Sequence, residues 1–468
     1  MAEANTRSPR LVVRELTHGP SVETAIGAFA NATGSFVLES SDDRHADGRF
    51  TVLGDDPVEL FSSDDSDWLT ALARRVGPAD PGLCDERLPF VGGWVGYLTY
   101  EAGAEMNGVP SARERDIALP RVYMALYDTA IVYDHRHCRW WVVGVDGIGG
   151  RGRDSVDDRL DVLEDRLRRA MPPAPIDRSI AAAGEAKPVM TPRNYVAAVE
   201  RVKHYIAAGD VYQVNLTQRW SAPSRSSAVE IYRRVRMANP APFAALLRIG
   251  ETAIISASPE LFLDLHDRRI VTRPIKGTRP RAGDDVLDAI RSRELLESEK
   301  DWSELTMIVD LMRNDLGRVC EFGSVRVVCP GAIEEHPSVY HLVATVEGRL
   351  RESHGWVDLL QSAFPGGSIT GAPKIRAMQI IRELESTERS VYCGSIGWIG
   401  LDGSMQLNIA IRTMVLDRGR LHWFSGGAVV ADSDADAEYA EAIAKVAGLR
   451  RALRTDESMA VSGIERHC

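Results

Sequence analysis

One lysine stands among three arginines in the segment RPIKGTRPR (273–281). Lys276 can act as a nucleophile only when its amine is neutral, whereas the pKa of an unperturbed lysine is about 10.4. Neighbouring cations and burial both lower that pKa, so this composition can produce a reactive amine. The alternative is a solvated basic loop, and the segment alone leaves both interpretations open.

Acidic side chains recur at helical spacing in two further segments. Asp301 precedes Glu304 by about one turn. Near the carboxyl terminus Glu438, Glu441 and Lys445 follow one another at i, i+3 and i+7. Because such residues share one helix face, two helices of this kind could present carboxylates to a hard cation such as Mg²⁺. The alternative is a pair of solvated helix faces with local ion pairs.

Two glycine-rich segments could bind anions through backbone N–H groups. In FPGGSITGAPK (364–374), Gly366 and Gly371 have the spacing of a phosphate loop, but two residues intervene before Lys374. This excludes a Walker-type ATPase, although Ser368 and Thr370 could still belong to a turn that cradles a carboxylate. The segment SGGAVV (425–430) could likewise bind an anion or form a bulged strand end.

Composition narrows the class of protein. The chain has 468 residues and a net charge of −11, from 56 basic and 67 acidic side chains, which disfavours a nucleic-acid binder. No apolar run approaches the roughly 18 residues of a membrane span. The first residues lack the apolar core of a signal peptide, and the six cysteines form no CxxC pair. We therefore expect a soluble, cytoplasmic enzyme.

The elements that must position these residues are mixed in order. Strands are predicted at 91–100, 122–134, 213–220 and 253–265, with three more within 391–430. Apolar periodicity and capping residues predict helices at 156–167, from Thr191 and Pro192 to Gly209, at 301–316, and from Ser433 or Asp434 onward. Residues 171–192 form a Pro- and Ala-rich linker. Clustered strands with helices between them favour an α+β fold.

Taken together, these segments resemble the chorismate-utilising enzymes. The motifs that carry the resemblance occur in the family's order: VLES, GGWVGYLTYE and LPRVYMALYD in the first half, then SASPELFL, PIKGTRPR, SELTMIVDLMRNDLGR, YHLVATVEG, FPGGSITGAPK, GSIGWIG, LNIAIRT and SGGAVVADSDADAEYAEAIAK. The match covers essentially the whole chain and is densest between about 190 and 455.

Two positions indicate a branch of the family. Members that activate water carry a lysine where this chain has Gln213, and members that form anthranilate have alanine where this chain has Lys276. The resemblance therefore implies an enzyme that uses ammonia to form 4-amino-4-deoxychorismate, for 4-aminobenzoate and folate. The alternatives are an anthranilate-forming synthase of tryptophan biosynthesis and a non-catalytic tryptophan-binding homologue.

The resemblance also implies roles for individual residues. Lys276 attacks ring carbon C2 while the C4 hydroxyl leaves, Glu260 protonates that leaving group, and His341 supports the reaction or handles a proton. Mg²⁺ is implied as the cofactor, with Glu304 and Glu441 as ligands and Glu438 and Asp301 in support. Residues matched to substrate binding are Gly277, Thr278, Thr370, Tyr392, Arg412, Gly426, Gly427 and Lys445.

The fold implied by the resemblance is a single large α+β domain of two orthogonally packed antiparallel sheets flanked by helices. It would comprise an amino-terminal subdomain (1–175) and a chorismate-binding region (188–460). A tryptophan pocket is implied in some relatives, and the matching residues here are Glu39, Ser40, Tyr212, Asn215, Pro242 and Phe243. Because the chain has no cysteine in a glutaminase-type elbow, ammonia is expected from a separate glutamine amidotransferase subunit.

Overall fold

The computed structural model describes residues 9–41, 48–111, 113, 115–148, 154–177 and 179–453. In this part of the chain most residues belong to two sheets and the helices around them. The strands are, in chain order, β1 (Arg10–Leu16), β2 (Phe36–Glu39), β3 (Phe50–Gly54), β4 (Glu59–Ser63), β5 (Gly93–Leu98), β6 (Val122–Tyr127), β7 (Thr129–Asp134), β8 (Arg139–Asp146), β9 (Lys187–Pro188), β10 (Gln213–Pro223), β11 (Phe243–Ile249), β12 (Thr252–Ser258), β13 (Leu261–His266), β14 (Arg269–Arg273), β15 (Ile275–Pro280), β16 (Arg326–Glu335), β17 (Val339–Arg349), β18 (Gly371–Ala372), β19 (Ser395–Gly400), β20 (Met405–Asn408), β21 (Thr413–Asp417) and β22 (Arg420–Val429).

Helices cover the outer faces of these strands. They are α1 (Val22–Phe29), α2 (Trp68–Val76), α3 (Tyr100–Met106), α4 (Val156–Arg168), α5 (Pro192–Ala207), α6 (Ala228–Ala238), α7 (Asp285–Leu296), α8 (Glu299–Gly317), α9 (Trp356–Ala363), α10 (Lys374–Leu384), α11 (Ala435–Lys445) and α12 (Ala447–Leu453). As predicted, Thr191 caps α5, its Oγ1 accepting a hydrogen bond from the backbone N–H of Asn194 at 3.2 Å. Among the described residues, none of the helices has the length and apolarity that a membrane crossing requires.

The described strands pair antiparallel in two sheets, which confirms the expected α+β class. The larger sheet has the order β1-β8-β7-β3-β2-β11-β12-β21-β22-β10-β18, and β9 also pairs with β10. The smaller sheet has the order β15-β17-β14-β13-β20-β19-β5-β6-β4, and β16 also pairs with β17. Strands from both of the predicted chain regions stand in each sheet, joined at β2–β11 and at β5–β19. The regional boundaries at 175 and 188 themselves stay a prediction.

Alternating side chains explain why the two sheets stack. Along β11, Ala244 and Leu246 pack outward into the core formed with α6, whereas Ala245 and Leu247 pack into a core shared with β5 of the smaller sheet. Successive residues of a strand point to opposite faces, so a strand buried on both faces is apolar throughout. The layers therefore run helix, sheet, sheet, helix.

Four details of the sequence prediction are wrong. Residues 122–134 are not one strand but two, β6 in the smaller sheet and β7 in the larger one. Residues 253–265 are two strands, β12 and β13, because the chain crosses from the larger to the smaller sheet at Pro259 and Glu260, where proline cannot donate a ladder hydrogen bond. Residues 391–430 contain four strands, β19 to β22, rather than three. The last helix is divided at Val446 into α11 and α12.

Candidate active site

A cavity of about 720 Å³ opens where strands of the larger sheet face β15 and β17 of the smaller one. Residues from distant motifs meet there because the topology places their strands and helices at one edge of both sheets. The sequence-predicted residues that line this cavity are Glu260, Lys276, Gly277, Thr278, Asp301, Glu304, His341, Tyr392, Arg412, Gly426, Glu441 and Lys445.

Three further predicted residues stand just behind that lining. Glu438 is 3 % exposed and its Oε2 lies 3.0 Å from the point where a Cβ on Gly427 would stand. Thr370 is fully buried, and its hydroxyl donates to the carbonyl oxygen of Gly366 at 3.0 Å. In this structure Thr370 therefore stabilises the glycine-rich turn rather than facing the cavity.

The crossover between β12 and β13 places Glu260 in the cavity. Its side chain is almost fully buried, and burial raises the pKa of its carboxyl to about 7. The hydroxyl of Ser368, the ammonium of Lys276 and the backbone N–H of Ile275 all favour the carboxylate and limit this rise. A carboxyl with such a pKa holds a proton near neutral pH, which is what a general acid requires.

Lys276 enters the same cavity from β15. A β-bulge follows Lys276 at Gly277. Gly277 has a φ of +76°, and a Cβ added at this position would lie only 2.8 Å from Cγ of Asp301. Both observations explain why glycine is required there. The Lys276 ammonium donates to the carbonyl oxygen of Ser368 at 3.2 Å and lies 4.0 Å from Glu304 Oε2. Burial lowers the pKa of Lys276, opposed by Glu304 and assisted by Lys445.

The cations expected to act on Lys276 are not the arginines of its own segment. Arg273 forms an ion pair with Glu334, and Arg279 with Asp301 at 3.0 Å. Arg281 pairs with Asp288 at 3.1 Å. Each guanidinium charge is therefore balanced by a nearby carboxylate. The cation that adds to the effect of burial and lowers the pKa of Lys276 is Lys445, from α11.

Ser368 is a site residue whose role the sequence did not indicate. It lies in a short 3₁₀-helix (Gly367–Ile369), where its hydroxyl hydrogen-bonds Glu260 and its carbonyl accepts from Lys276. The sequence suggested backbone donors in this turn, but not one residue that contacts both of the groups proposed for the chemistry.

Carboxylates from α8 and α11 face one another across the cavity, with lysines between them. Lys300 Nζ lies 4.0 Å from Glu304 Oε1 and 3.7 Å from Glu438 Oε1. Lys445 Nζ lies 2.7 Å from Glu441 Oε1. Burial raises the pKa of Glu304. Burial also opposes the charge on Glu441, but the ammonium groups of Lys445, Lys300 and Lys276 together outweigh it and lower the pKa of Glu441. Burial also disfavours the charge on Lys300, but the carboxylates of Glu438 and Glu304 outweigh it and raise its pKa.

The donor chemistry of this cluster suits a hard cation. All of the carboxylate groups supply oxygen ligands. Because Gly427 has no Cβ, the position that a Cβ would occupy is open, and it lies 3.0 Å from Glu438 Oε2 and 3.8 Å from Glu441 Oε1. Within the described ranges, however, no three Asp, Glu, His or Cys side chains are gathered closely enough to hold a metal ion. Lysine ammonium groups balance the carboxylates instead, and Asp301 is paired with Arg279. The expected Mg²⁺ site therefore stays a prediction.

A partly buried arginine defines the other end of the cavity. Removal of its side chain from water lowers the pKa of Arg412 to about 10, and in the described part of the chain no carboxylate opposes this shift. Its Nη2 donates to Nε2 of His341 at 3.2 Å, so that nitrogen must be the acceptor. His341 is then neutral, with Nδ1–H donating to Thr278 Oγ1 at 2.9 Å. Tyr392 stacks on Phe424 beside them, with ring centroids 5.1 Å apart.

The predicted tryptophan pocket is only partly assembled. Glu39, Ser40, Pro242 and Phe243 line a second cavity of about 80 Å³ between the sheets. Its carboxylate, Glu39, is held by Tyr232 Oη and Arg236 Nε, each at 2.6 Å. Whether this cavity binds tryptophan stays a prediction.

Tyr212 and Asn215 do not belong to that pocket, which corrects the prediction. Asn215 lies on β10, which is separated from β11 by β12, β21 and β22, and it lines the larger cavity instead. Tyr212 is 74 % exposed just before β10. The strand order, which the sequence does not reveal, separates these residues from Glu39.

Known proteins share this chain's sequence and fold. The family model for chorismate binding enzymes matches residues 34–451. Aminodeoxychorismate synthase component 1 of Klebsiella aerogenes is 42% identical over 428 residues, covering 88% of this chain and 92% of that protein. Anthranilate synthase component 1 of Streptomyces coelicolor is 40% identical over 455 residues, covering 93% and 87%. The crystal structure of anthranilate synthase component I from Streptococcus pneumoniae aligns with a TM-score of 0.77 at 32% identity, over 86% of this chain and 92% of that one.

Proposed function

This chain belongs to the family of chorismate binding enzymes, and from that premise we propose that it is the component of aminodeoxychorismate synthase that converts chorismate and ammonia to 4-amino-4-deoxychorismate. Overall similarity alone supports two products, because the identities to relatives named for each are 42% and 40%. The observation that carries the proposal is the buried amine of Lys276, which projects into the cavity beside Glu260 and Glu304.

The proposed reaction uses that amine twice. Lys276 attacks ring carbon C2, the two conjugated ring double bonds shift to C1=C6 and C4=C5, and the C4–oxygen bond breaks as Glu260 gives its proton to the departing hydroxyl, which leaves as water. Ammonia then bonds to C4, both double bonds shift back to C1=C2 and C5=C6, and the C2–nitrogen bond to Lys276 breaks. The new ammonium group at C4 returns one proton to Glu260. The sum is chorismate plus ammonia giving the 4-amino product plus water, with lysine regenerated.

Other residues would bind and orient the substrate, which carries two carboxylates. Arg412, whose guanidinium contacts the neutral His341, would bind the enolpyruvyl carboxylate with Tyr392 and the backbone at Gly426. Lys445 would bind the ring end. Mg²⁺ held by Glu304, Glu438 and Glu441 would, when bound, neutralise the ring carboxylate and fix its position.

The ammonia would come from a separate glutamine amidotransferase subunit. Relatives named as component 1 imply a second component, and the sequence contains no glutaminase-type cysteine motif. The product would then be consumed by a lyase that forms 4-aminobenzoate for folate in the cytoplasm.

A product assay tests this proposal. The protein is incubated with chorismate, Mg²⁺ and an ammonium salt, with and without an aminodeoxychorismate lyase. We expect 4-aminobenzoate only when the lyase is present, and no fluorescent anthranilate in either sample. Anthranilate formed without the lyase would make the chain an anthranilate synthase component, and no turnover of chorismate would support a non-catalytic role.

A further inference from the structure

Lys300 was not among the residues that the sequence suggested for the site. It lies on α8 next to Asp301 and one turn before Glu304, and its side chain is 54% exposed at the rim of the cavity. Its ammonium bridges two helices, 4.0 Å from Glu304 Oε1 on α8 and 3.7 Å from Glu438 Oε1 on α11. One positive charge therefore stands between the two carboxylates that would also hold a divalent cation.

The carboxylate contacts of Lys300 are longer than those of Lys445 and Lys374. Lys445 is in direct contact with Glu441 at 2.7 Å, and Lys374 with Asp315 at 2.6 Å, both within hydrogen-bond distance. Both contacts of Lys300 are longer than a hydrogen bond, so charge alone holds its ammonium there. A half-exposed lysine on a flexible stem can move back into water at little cost.

We propose that the Lys300 ammonium occupies the place of the metal between Glu304 and Glu438 when no divalent cation is bound, and that the metal binds by displacing it. The proposal rests on the metal role in the proposed function. It explains why the carboxylates face one another without a gathered metal cluster among the described residues. It also gives Lys300 an effect on metal affinity without any contact with the reacting atoms.

The test measures metal binding directly, without substrate or turnover. Free Mn²⁺ is followed by electron paramagnetic resonance as Mn²⁺ is titrated into the chorismate-free protein. Lys300→Met should lower the Kd for Mn²⁺ about tenfold, the effect of removing one unit charge about 6 Å from a divalent ion in high dielectric. Lys300→Arg, which keeps the charge, should bind Mn²⁺ much as the wild type does.

Lys187→Met is the matched control, because it removes the same charge far from the cavity. Lys187 on β9 pairs with Ser221 on β10. Ser221 is six residues along this strand from Asn215, which lines the cavity, so Lys187 lies about 20 Å from the cavity. This variant should leave the Kd unchanged. Equal or weaker Mn²⁺ binding by Lys300→Met would overturn the proposal, as would the absence of Mn²⁺ binding in every variant.

Stability provides a second readout in case the methionine variant folds poorly. Without metal, Lys300→Gln should lower the unfolding temperature, because Glu438 then loses its counter-charge and Glu304 keeps only that of Lys276, and saturating Mg²⁺ should restore the wild-type value. A Lys300→Gln protein that Mg²⁺ does not stabilise more than it stabilises the wild type would contradict the proposal. The product assay described above is independent of both measurements, so a wrong function and a wrong role for Lys300 are distinguishable.

Discussion

The ammonium nitrogen of Lys276 lies 4.0 Å from Oε2 of Glu304. This relationship links the proposed nucleophile to a carboxylate proposed for the metal. Burial lowers the pKa of Lys276, while the negative charge on Glu304 raises it, so the two effects set the fraction of neutral amine. Anything that neutralises Glu304 therefore makes Lys276 a better nucleophile.

The first prediction concerns Lys276 itself. Lys276→Arg keeps the positive charge near Glu304 but removes the nucleophilic amine, so formation of the 4-amino product should fall by roughly 10³-fold or more. The rate is measured with the coupled lyase assay. Wild-type protein that is quenched during turnover should also show a covalent adduct, with a mass increase equal to chorismate minus one water. The Lys276→Arg variant should show no such adduct. Full activity in Lys276→Arg would refute the assignment of Lys276 as the nucleophile.

The second prediction follows from the raised pKa of Glu260. Since the proton must be present for general-acid catalysis, kcat/KM should fall above about pH 7. Glu260→Gln, which has the same shape and no proton to give, should lose about 10²- to 10⁴-fold in kcat and this limb of the profile. A pH profile of the variant that matches that of the wild type would exclude Glu260 as the acid.

The second prediction extends to stability, because the raised pKa of Glu260 also makes the free energy of unfolding depend on pH. The pKa of the Glu260 carboxyl rises from 4.5 in the unfolded chain to about 7 in the folded protein. Between these two pH values, the folded state therefore holds the proton more tightly than the unfolded state. Its stabilisation is complete below about pH 4.5 and is lost as the pH rises through 7. In urea unfolding, the wild type should lose about 2 to 3 kcal/mol more than Glu260→Gln between pH 5 and pH 8. Equal losses would mean that Glu260 is ionised throughout.

The sequence identified much of this site because the chemistry depends on residue types at short spacing. Lys276, Glu304 and Glu441 were selected from local patterns and the family resemblance, and the fold brings all three to one cavity. Capping at Thr191 and the buried stripe of α8 were also visible locally. These features depend only on neighbours within one or two helical turns.

What the sequence missed depends on contacts between distant segments. The apolar run at 253–265 resembles one strand, and only the stacking of two sheets requires the crossover that positions Glu260. Lys300 resembles any solvated helical lysine until α11 places Glu438 beside it. The resemblance groups Asn215 with Glu39, although four strands lie between β10, which carries Asn215, and β2, which carries Glu39.

The third prediction concerns Arg412. Arg412→Lys keeps a charge but loses the planar fork that donates to His341 and binds a carboxylate through two nitrogens. We expect KM for chorismate to rise by about 10- to 100-fold, since a charged hydrogen bond contributes roughly 1.5 to 3 kcal/mol. Steady-state kinetics at saturating ammonia measure this. An unchanged KM would show that the substrate carboxylate binds elsewhere.

The fourth prediction concerns metal dependence. Glu441 is held in its ionised form by Lys445, so it offers a negative charge to a cation across the working pH range. Glu441→Ala should raise the Mg²⁺ concentration for half-maximal activity at least about tenfold, and a chelator should abolish wild-type turnover. Glu200→Ala, which removes a half-exposed carboxylate from α5, is the control. An identical Mg²⁺ titration for Glu441→Ala and wild type would remove Glu441 from the site.

The last prediction concerns the ion pair that anchors the turn carrying Ser368. Lys374 donates to Asp315 Oδ2 at 2.6 Å and to the carbonyl oxygen of Ala363 at 2.9 Å, with both charged side chains nearly buried. Lys374→Met leaves the Asp315 carboxylate buried without its partner, which should cost about 3 to 5 kcal/mol of unfolding free energy in urea. Lys203→Met, at a surface pair with Glu200, should cost less than about 1 kcal/mol. The double variant Lys374→Met, Asp315→Leu should recover much of the loss, because the penalty comes from the unpaired charge rather than from the missing lysine. If the double variant is as unstable as the single one, the pair contributes packing to this turn and not charge compensation.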